Sequence, residues 1–315
     1  MLAGLSTQLL TPQMAGVLER IRRAGRPPFH QLTPAVARLA YEAGAEVLDL
    51  PRVPLARVES LELPGGDGRP RAARLYADGP EPRPGLLYLH GGGFVIGSLE
   101  THDSLCRQIA RRSGFAVVSL DYRRAPEHRF PAAVDDAFAA MRALSREPSR
   151  FGLAERPLAV GGDSAGGTLA AACALQARDE GLALALQLLV TPGTGARADT
   201  ASHRHFAEGF LLDRSTILWF FDQYIATAQR HDWRFAPLEA EVEGTAPAFV
   251  LLAECDPLVD EGLAYADKLR MAGVPVQLEL FRGLTHDFIK MGRAIPQAHA
   301  ALDAMAAALK GTLDP

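Results

Sequence analysis

The chain has 315 residues, 48% of them hydrophobic, with a net charge of −4 and three cysteines. That length and apolar content suit one large α/β domain with insertions, or two small domains, with a sizeable core. A near-neutral charge without any basic run excludes nucleic acid and an anionic membrane as partners. The widely spaced Cys106, Cys173 and Cys255 form neither a disulfide framework nor a zinc pattern.

In chain order, Met1–Gln8 has no charged start followed by a long apolar stretch, so it is not a secretory signal. Residues 1–50 hold two helical stretches parted by Gly25-Arg26-Pro27-Pro28, and Arg20, Arg22, Arg23 and Arg26 read as a solvated face. Strands are expected near 57–63, 72–77, 85–90, 115–120, 157–161, 184–190, 248–254 and 275–281. Pro64-Gly65-Gly66-Asp67-Gly68 joins the first two as an antiparallel hairpin. Later strands are continuous apolar runs, such as Phe249-Val250-Leu251-Leu252, which signal burial on both faces of a parallel sheet. Helical patterns near 101–113, 131–145, 164–179, 260–271 and 295–309 alternate with them, so helices should cover both faces. The longest apolar run, Leu182 to Val190, is too short to span a bilayer, and a soluble, cytoplasmic protein is expected.

Residues 192–235 break the alternation and carry many large apolar groups, from Phe206 to Tyr224. Part of this insertion should be ordinary core, and part a cap over a pocket. Phe206, Phe210 and Leu211 are expected nearest that pocket, with Phe94 and Val95 from the opposite side.

Two glycine-bearing runs carry the chemistry. Gly161 to Gly167 contains G-x-S-x-G centred on Ser164, after the apolar Leu158-Ala159-Val160 and before an alanine-rich helix. This is the strand–turn–helix context of a nucleophile elbow. Small residues flanking the serine avoid clashes in the sharp turn. The bland alternative is a glycine-rich turn without chemistry. A dinucleotide pattern is not met, and no P-loop lysine is present. Upstream, His90-Gly91-Gly92-Gly93-Phe94 follows Leu86-Leu87-Tyr88-Leu89 and reads as the other half of an oxyanion hole. Both runs, in this order and each after a strand, predict acyl transfer.

A serine hydroxyl needs a base and an acid to orient that base, and on this kind of sheet they follow in the order Ser, Asp or Glu, His. His286 lies just past the eighth strand, whereas His299 is inside a helix. Asp256 follows the seventh strand directly; Asp260 and Glu261 read as carboxylates favouring a helix N-terminus. His203 and His205 lack the carboxylates of a metal site and read as surface residues, and His90 is expected to order the glycine loop. Backbone N–H groups of Gly91, Gly92 and Ala165 are the expected oxyanion donors. No cofactor or metal is called for.

The chain resembles the hormone-sensitive lipase-like (bacterial family IV) esterases of the α/β-hydrolase fold, in the subgroup with Gly-Asp-Ser-Ala-Gly. The resemblance rests on His90–Phe94, Asp121-Tyr122-Arg123-Arg124-Ala125-Pro126-Glu127, Phe130–Asp136, Gly162–Gly166, Asp256-Pro257-Leu258 with Asp260-Glu261, and His286. It implies an eight-stranded, mostly parallel sheet flanked by helices. It also implies a triad of Ser164, Asp256 and His286 and a cap built from 1–50 and 192–235, leaving 51–191 and 236–315 as the catalytic domain. Arg124 stands where the family usually has Leu, and Thr191-Pro192-Gly193-Thr194 departs from its usual pattern. The implied substrate is a short- to medium-chain acyl ester. An amide, lactone or arylformamide hydrolase shares the same triad. A ligand-binding protein on this fold is disfavoured because His286 is present. Relatives often dimerise through the last strand, so a two-fold dimer through 275–281 is expected.

Overall fold

The computed structural model describes residues 9–313; the reading of Met1–Gln8 falls outside them. Two helices come first. α1 (Pro12–Ala24) and α2 (Pro34–Leu48) each start with a Thr-Pro pair, Thr11 and Thr33 accepting a backbone N–H through their hydroxyls. Proline at the first helical position forfeits an N–H that had no intrahelical partner anyway.

Eight strands follow: β1 (Arg57–Pro64), β2 (Pro70–Ala77), β3 (Gly85–Leu89), β4 (Ala116–Leu120), β5 (Leu158–Asp163), β6 (Leu184–Val190), β7 (Ala248–Ala253) and β8 (Val276–Phe281). They form one sheet in the order β1-β2-β4-β3-β5-β6-β7-β8. β1 and β2 are the expected hairpin, β2 runs antiparallel to β4, and all remaining pairs are parallel. β8 lies at the edge.

The pleat splits the core. Leu86, Tyr88, Val117, Leu188 and Phe249 point to one face and pack against α3 (Asp103–Ser113), α9 (Gln297–Gly311) and Met14 and Val17 of α1. Leu87, Leu89, Val118, Val160 and Val250 point to the other, against α4 (Ala132–Arg146), α5 (Ala165–Asp179) and α8 (Val259–Met271). Successive strand residues facing opposite layers explain why these runs are apolar throughout.

Residues 192–235 carry a short α6 (Ala201–His205) and α7 (Arg214–Tyr224). Phe206, Phe210, Phe220 and Tyr224 join the second core layer, together with Ala37 of α2. His30, in the turn between α1 and α2, meets Thr216 Oγ1 at 3.1 Å. The N-terminal segment and the insertion therefore touch. No helix among the described residues is long and apolar enough to cross a membrane.

Candidate active site

β5 ends at Asp163 and α5 begins at Ala165, so Ser164 alone makes the strand-to-helix turn. Its φ is +54° and ψ −121°, a conformation costing a non-glycine residue on the order of 1–3 kcal/mol. The neighbours hold it there. Ser164 N–H donates to Val190 O at 2.8 Å. A Cβ on Gly166 would lie 1.9 Å from Leu89 O, so the first turn of α5 packs directly on β3. The Ser164 side chain makes no capping bond to the helix and forms part of a cavity wall.

Asp256 and His286 emerge beyond β7 and β8, at the same carboxyl end of the sheet. Open parallel sheets build their sites there. Asp256 is buried; Oδ1 accepts Leu258 N–H at 2.9 Å and Oδ2 lies 2.7 Å from His286 Nδ1. Burial works to push His286 down, but Asp256, then Asp287 and Asp163, outweigh it and raise it to about 9.

The glycine loop is tied down from behind. Tyr122 OH donates to His90 O at 2.7 Å, and the two rings stack with centroids 4.2 Å apart. Burial, with His102 nearby, pushes His90 down to about 3. A neutral ring whose Nδ1 sits 2.9 Å from Gly91 O must donate to that carbonyl. Asp163 Oδ1 accepts from Tyr88 OH at 2.8 Å, and Oδ2 pairs with His102 Nε2 at 3.1 Å. Burial raises Asp163, but His102, Lys290 and the Tyr88 hydroxyl hold it well below the ordinary carboxylate range.

This network corrects one expectation. The Gly91 amide nitrogen lies within this network, 3.3 Å from His102 Nε2, and Gly91 is not part of the wall of the cavity around Ser164. The N–H groups of Gly92, Gly93 and Ala165 donate to no backbone carbonyl among the described residues. Gly93 and Ala165 line the cavity with Ser164. Gly93 thus takes the place of Gly91 in the expected set, while Gly92 and Ala165 stay in it.

The cavity has a volume of ≈ 50 Å³. Phe94 is part of its wall, as expected, but Val95, Phe206, Phe210 and Leu211 are not. Val95 is fully buried, with its carbonyl accepting from Arg38 Nε at 2.8 Å. Phe206 and Phe210 pack edge to face on each other at 4.9 Å, and Leu211 is 38% exposed. Leu212, Ile217, Phe220, Phe221 and Phe235 wall the cavity in their place.

Asp260 and Glu261 stand in the first turn of α8, as read, and Glu261 has a further role. It is buried in the wall, accepts the N–H groups of Thr194 and Gly195 at 3.2 Å each, and is raised to about 8 by burial. Asp260 accepts Ser202 N–H at 2.8 Å. Both side chains therefore also tether the insertion to α8. His203, expected at the surface, is buried with Nδ1 2.7 Å from Thr200 Oγ1; His205 is exposed. A larger groove of ≈ 520 Å³ lies at the opposite end of the sheet, against Pro157, Leu184, Pro247 and Pro275, and contains none of these groups.

Residues 86–290 match a family described as alpha/beta hydrolase fold. The chain belongs to the α/β-hydrolase fold family. It is 40% identical to ethyl acetate hydrolase of Pseudomonas putida, over 96% of this chain and 98% of that protein. It is 41% identical to the carboxylic ester hydrolase LipN of Mycobacterium tuberculosis, over 81% of this chain and 70% of that one. Among solved structures, an alpha/beta hydrolase enzyme from the metagenome of Lake Arreo superposes with a TM-score of 0.93 at 38% identity, covering 98% of this chain and 100% of the other. The esterase of Pyrobaculum calidifontis gives 0.92 at 34% identity, covering 97% and 99%. This α/β-hydrolase keeps its motif residues within the matched span, whereas the N-terminal helices lie outside it.

Proposed function

We propose that this α/β-hydrolase is a carboxylic ester hydrolase working through an acyl-enzyme on Ser164, within the hormone-sensitive lipase-like group. The observation that carries the reading is the single-residue elbow at Ser164, set in a cavity beside amides that have no backbone partner. Ser164 Oγ attacks the ester carbonyl carbon and its proton passes to His286 Nε2. Asp256 fixes the ring through Nδ1 and stabilises its charged form. Negative charge on the carbonyl oxygen falls to the N–H groups of Gly92, Gly93 and Ala165. The C–O bond to the alcohol breaks as His286 returns the proton to it. Water then repeats the sequence on the acyl-enzyme and releases the acid. This scheme calls for no cofactor.

The cap reading of residues 1–50 and 192–235 is supported by their mutual contact and by the wall that Leu212, Ile217, Phe220 and Phe221 supply. A cytoplasmic location fits three unpaired, buried cysteines. The bulky side chains of Phe94, Leu212, Phe220, Phe221 and Phe235 around Ser164 argue for short acyl groups. The similarity to an ethyl acetate hydrolase points the same way.

Hydrolysis of p-nitrophenyl acetate through palmitate tests both parts. Rates should peak at acetate to butyrate. Ser164→Ala should lose about 10⁴-fold or more in kcat and should not label with a fluorophosphonate. A peak at the longest chain overturns the size claim. An active Ser164→Ala overturns the nucleophile.

A further inference from the structure

The turn after His286 carries a carboxylate without a structural partner. Asp287 opens the 3₁₀ turn Phe288–Lys290, where an Asp side chain commonly accepts a backbone N–H. It makes no such capping bond. Its φ is +58°, a region that costs a non-glycine residue about 1–2 kcal/mol, though Asp tolerates it better than most. Its Oδ1 is buried and takes no hydrogen bond. A strained residue that also leaves a carboxylate oxygen unpaired is doubly unfavourable for folding.

That oxygen lies 3.8 Å from Nε2 of His286. Asp256 holds the other ring nitrogen, Nδ1, at 2.7 Å. The imidazole therefore sits between two carboxylates, and the second is at the nitrogen that must exchange a proton with Ser164. At 3.8 Å the contact is electrostatic, too long for a hydrogen bond. The other charged and titratable groups are few. Asp163 acts on His286 from the end of β5. Lys290 faces Asp287 and Asp163 and donates to Tyr41 of α2. His203 of α6 and Glu261 of α8 face Asp256.

We propose that Asp287 is a positioning residue for the base: its carboxylate steadies the Nε2 side of His286 and stabilises the imidazolium that forms when Ser164 gives up its proton. Its catalytic part rests on the ester-hydrolase reading. The serine proton moves to Nε2 and then to the leaving alcohol, and none passes to Asp287.

Asp287→Asn and Asp287→Gly test this together. Asn keeps the shape without the charge, and Gly also removes the backbone strain, so at least one variant should fold. The titration midpoint of His286, read by NMR from its ring Cε1–H, should fall by about one pH unit in both. The acid limb of kcat/KM should move down by the same amount, with KM little changed. An unchanged midpoint and limb, with only thermal stability altered, would make Asp287 a turn residue and overturn the proposal. The NMR midpoint needs no turnover. If it falls in a protein that hydrolyses no ester, the hold of Asp287 on the imidazole stands and the ester reading fails.

Discussion

Gly93→Ala is the sharpest test of which amides serve the substrate. Gly93 has φ +59°, and a Cβ there would lie 2.2 Å from Phe220 Cγ and 2.4 Å from its Cδ atoms. The left-handed backbone alone costs alanine about 1–2 kcal/mol. The clash adds to it, since ordinary contact needs about 3.5–4.0 Å. Either the Phe220 ring or the loop must shift by more than about 1 Å. Phe220 is itself buried against the core layer, so the loop is the softer partner. A shift of that size takes an oxyanion donor out of place, a loss of about 10²–10³ in kcat. We expect kcat on p-nitrophenyl acetate to fall by that factor, while thermal unfolding shows a cost of only about 1–3 kcal/mol. The double variant with Phe220→Ala should recover part of the loss, because the clash is relieved and the φ strain is not. A coupling of about 1 kcal/mol or more in that double-mutant cycle is the signature. A Gly93→Ala enzyme with kcat within a few-fold of the parent would refute the assignment of this amide. Strict additivity of the two substitutions would refute the clash.

His286 must lose its proton before it can accept one from Ser164. With the ring raised to about 9, kcat/KM should climb with pH toward that value; a flat profile from about pH 6 to 9 refutes this. The same shift bears on stability. A histidine raised from 6.5 to about 9 on folding contributes stability that is full below about 6.5 and lost as pH rises through about 9, which chemical denaturation at several pH values should show. Arg38 of α2 donates to the buried carbonyls of Val95 and Ala125 at 2.8 and 2.7 Å and pairs with Glu127. Arg38→Ala leaves two carbonyls unsatisfied and should cost about 1–3 kcal/mol of stability and lower kcat through the loop that Val95 belongs to. Arg38→Lys should not restore it, because a single ammonium does not reproduce the planar fork. An unchanged Tm in Arg38→Ala would show that the N-terminal helices do not brace the loop.

What the sequence made legible was local chemistry. Pro64 to Gly68 announces a hairpin because only turn residues stand between two strand patterns, and β1 and β2 pair as read. Gly162 and Gly166 announce close approach, and both press against Leu89 O. Asp256 stands apart from Asp260 and Glu261 because it follows the strand and precedes the helix, and it is the one that meets His286. The sequence could not say which way a peptide plane turns in a run of three glycines, because glycine imposes no preference on its own φ. The direction is set by partners far along the chain. His102, from the segment leading into α3, lies 3.3 Å from the Gly91 amide nitrogen, and Phe220, from the insertion, lies against Gly93.

The pocket walls failed for the same physical reason. An apolar-rich insertion shows that rings will be buried, but not which helix face meets the cavity. Phe206 and Phe210 bury each other, which leaves Phe220 and Phe221 of α7 to face Ser164. Glu261 does stand in the first turn of α8, but that position accounts for only part of what it does. The deciding fact is that Thr194 and Gly195, from the far side of β6, turn two N–H groups toward it. A buried carboxyl that accepts two amides holds a loop whether or not a helix dipole is near, and here that loop opens the insertion. The motif residues thus supply the reacting groups locally. Their orientation comes from contacts separated by tens to more than a hundred residues, and that is why substitution at Phe220 or His102 should reach the chemistry without touching a motif.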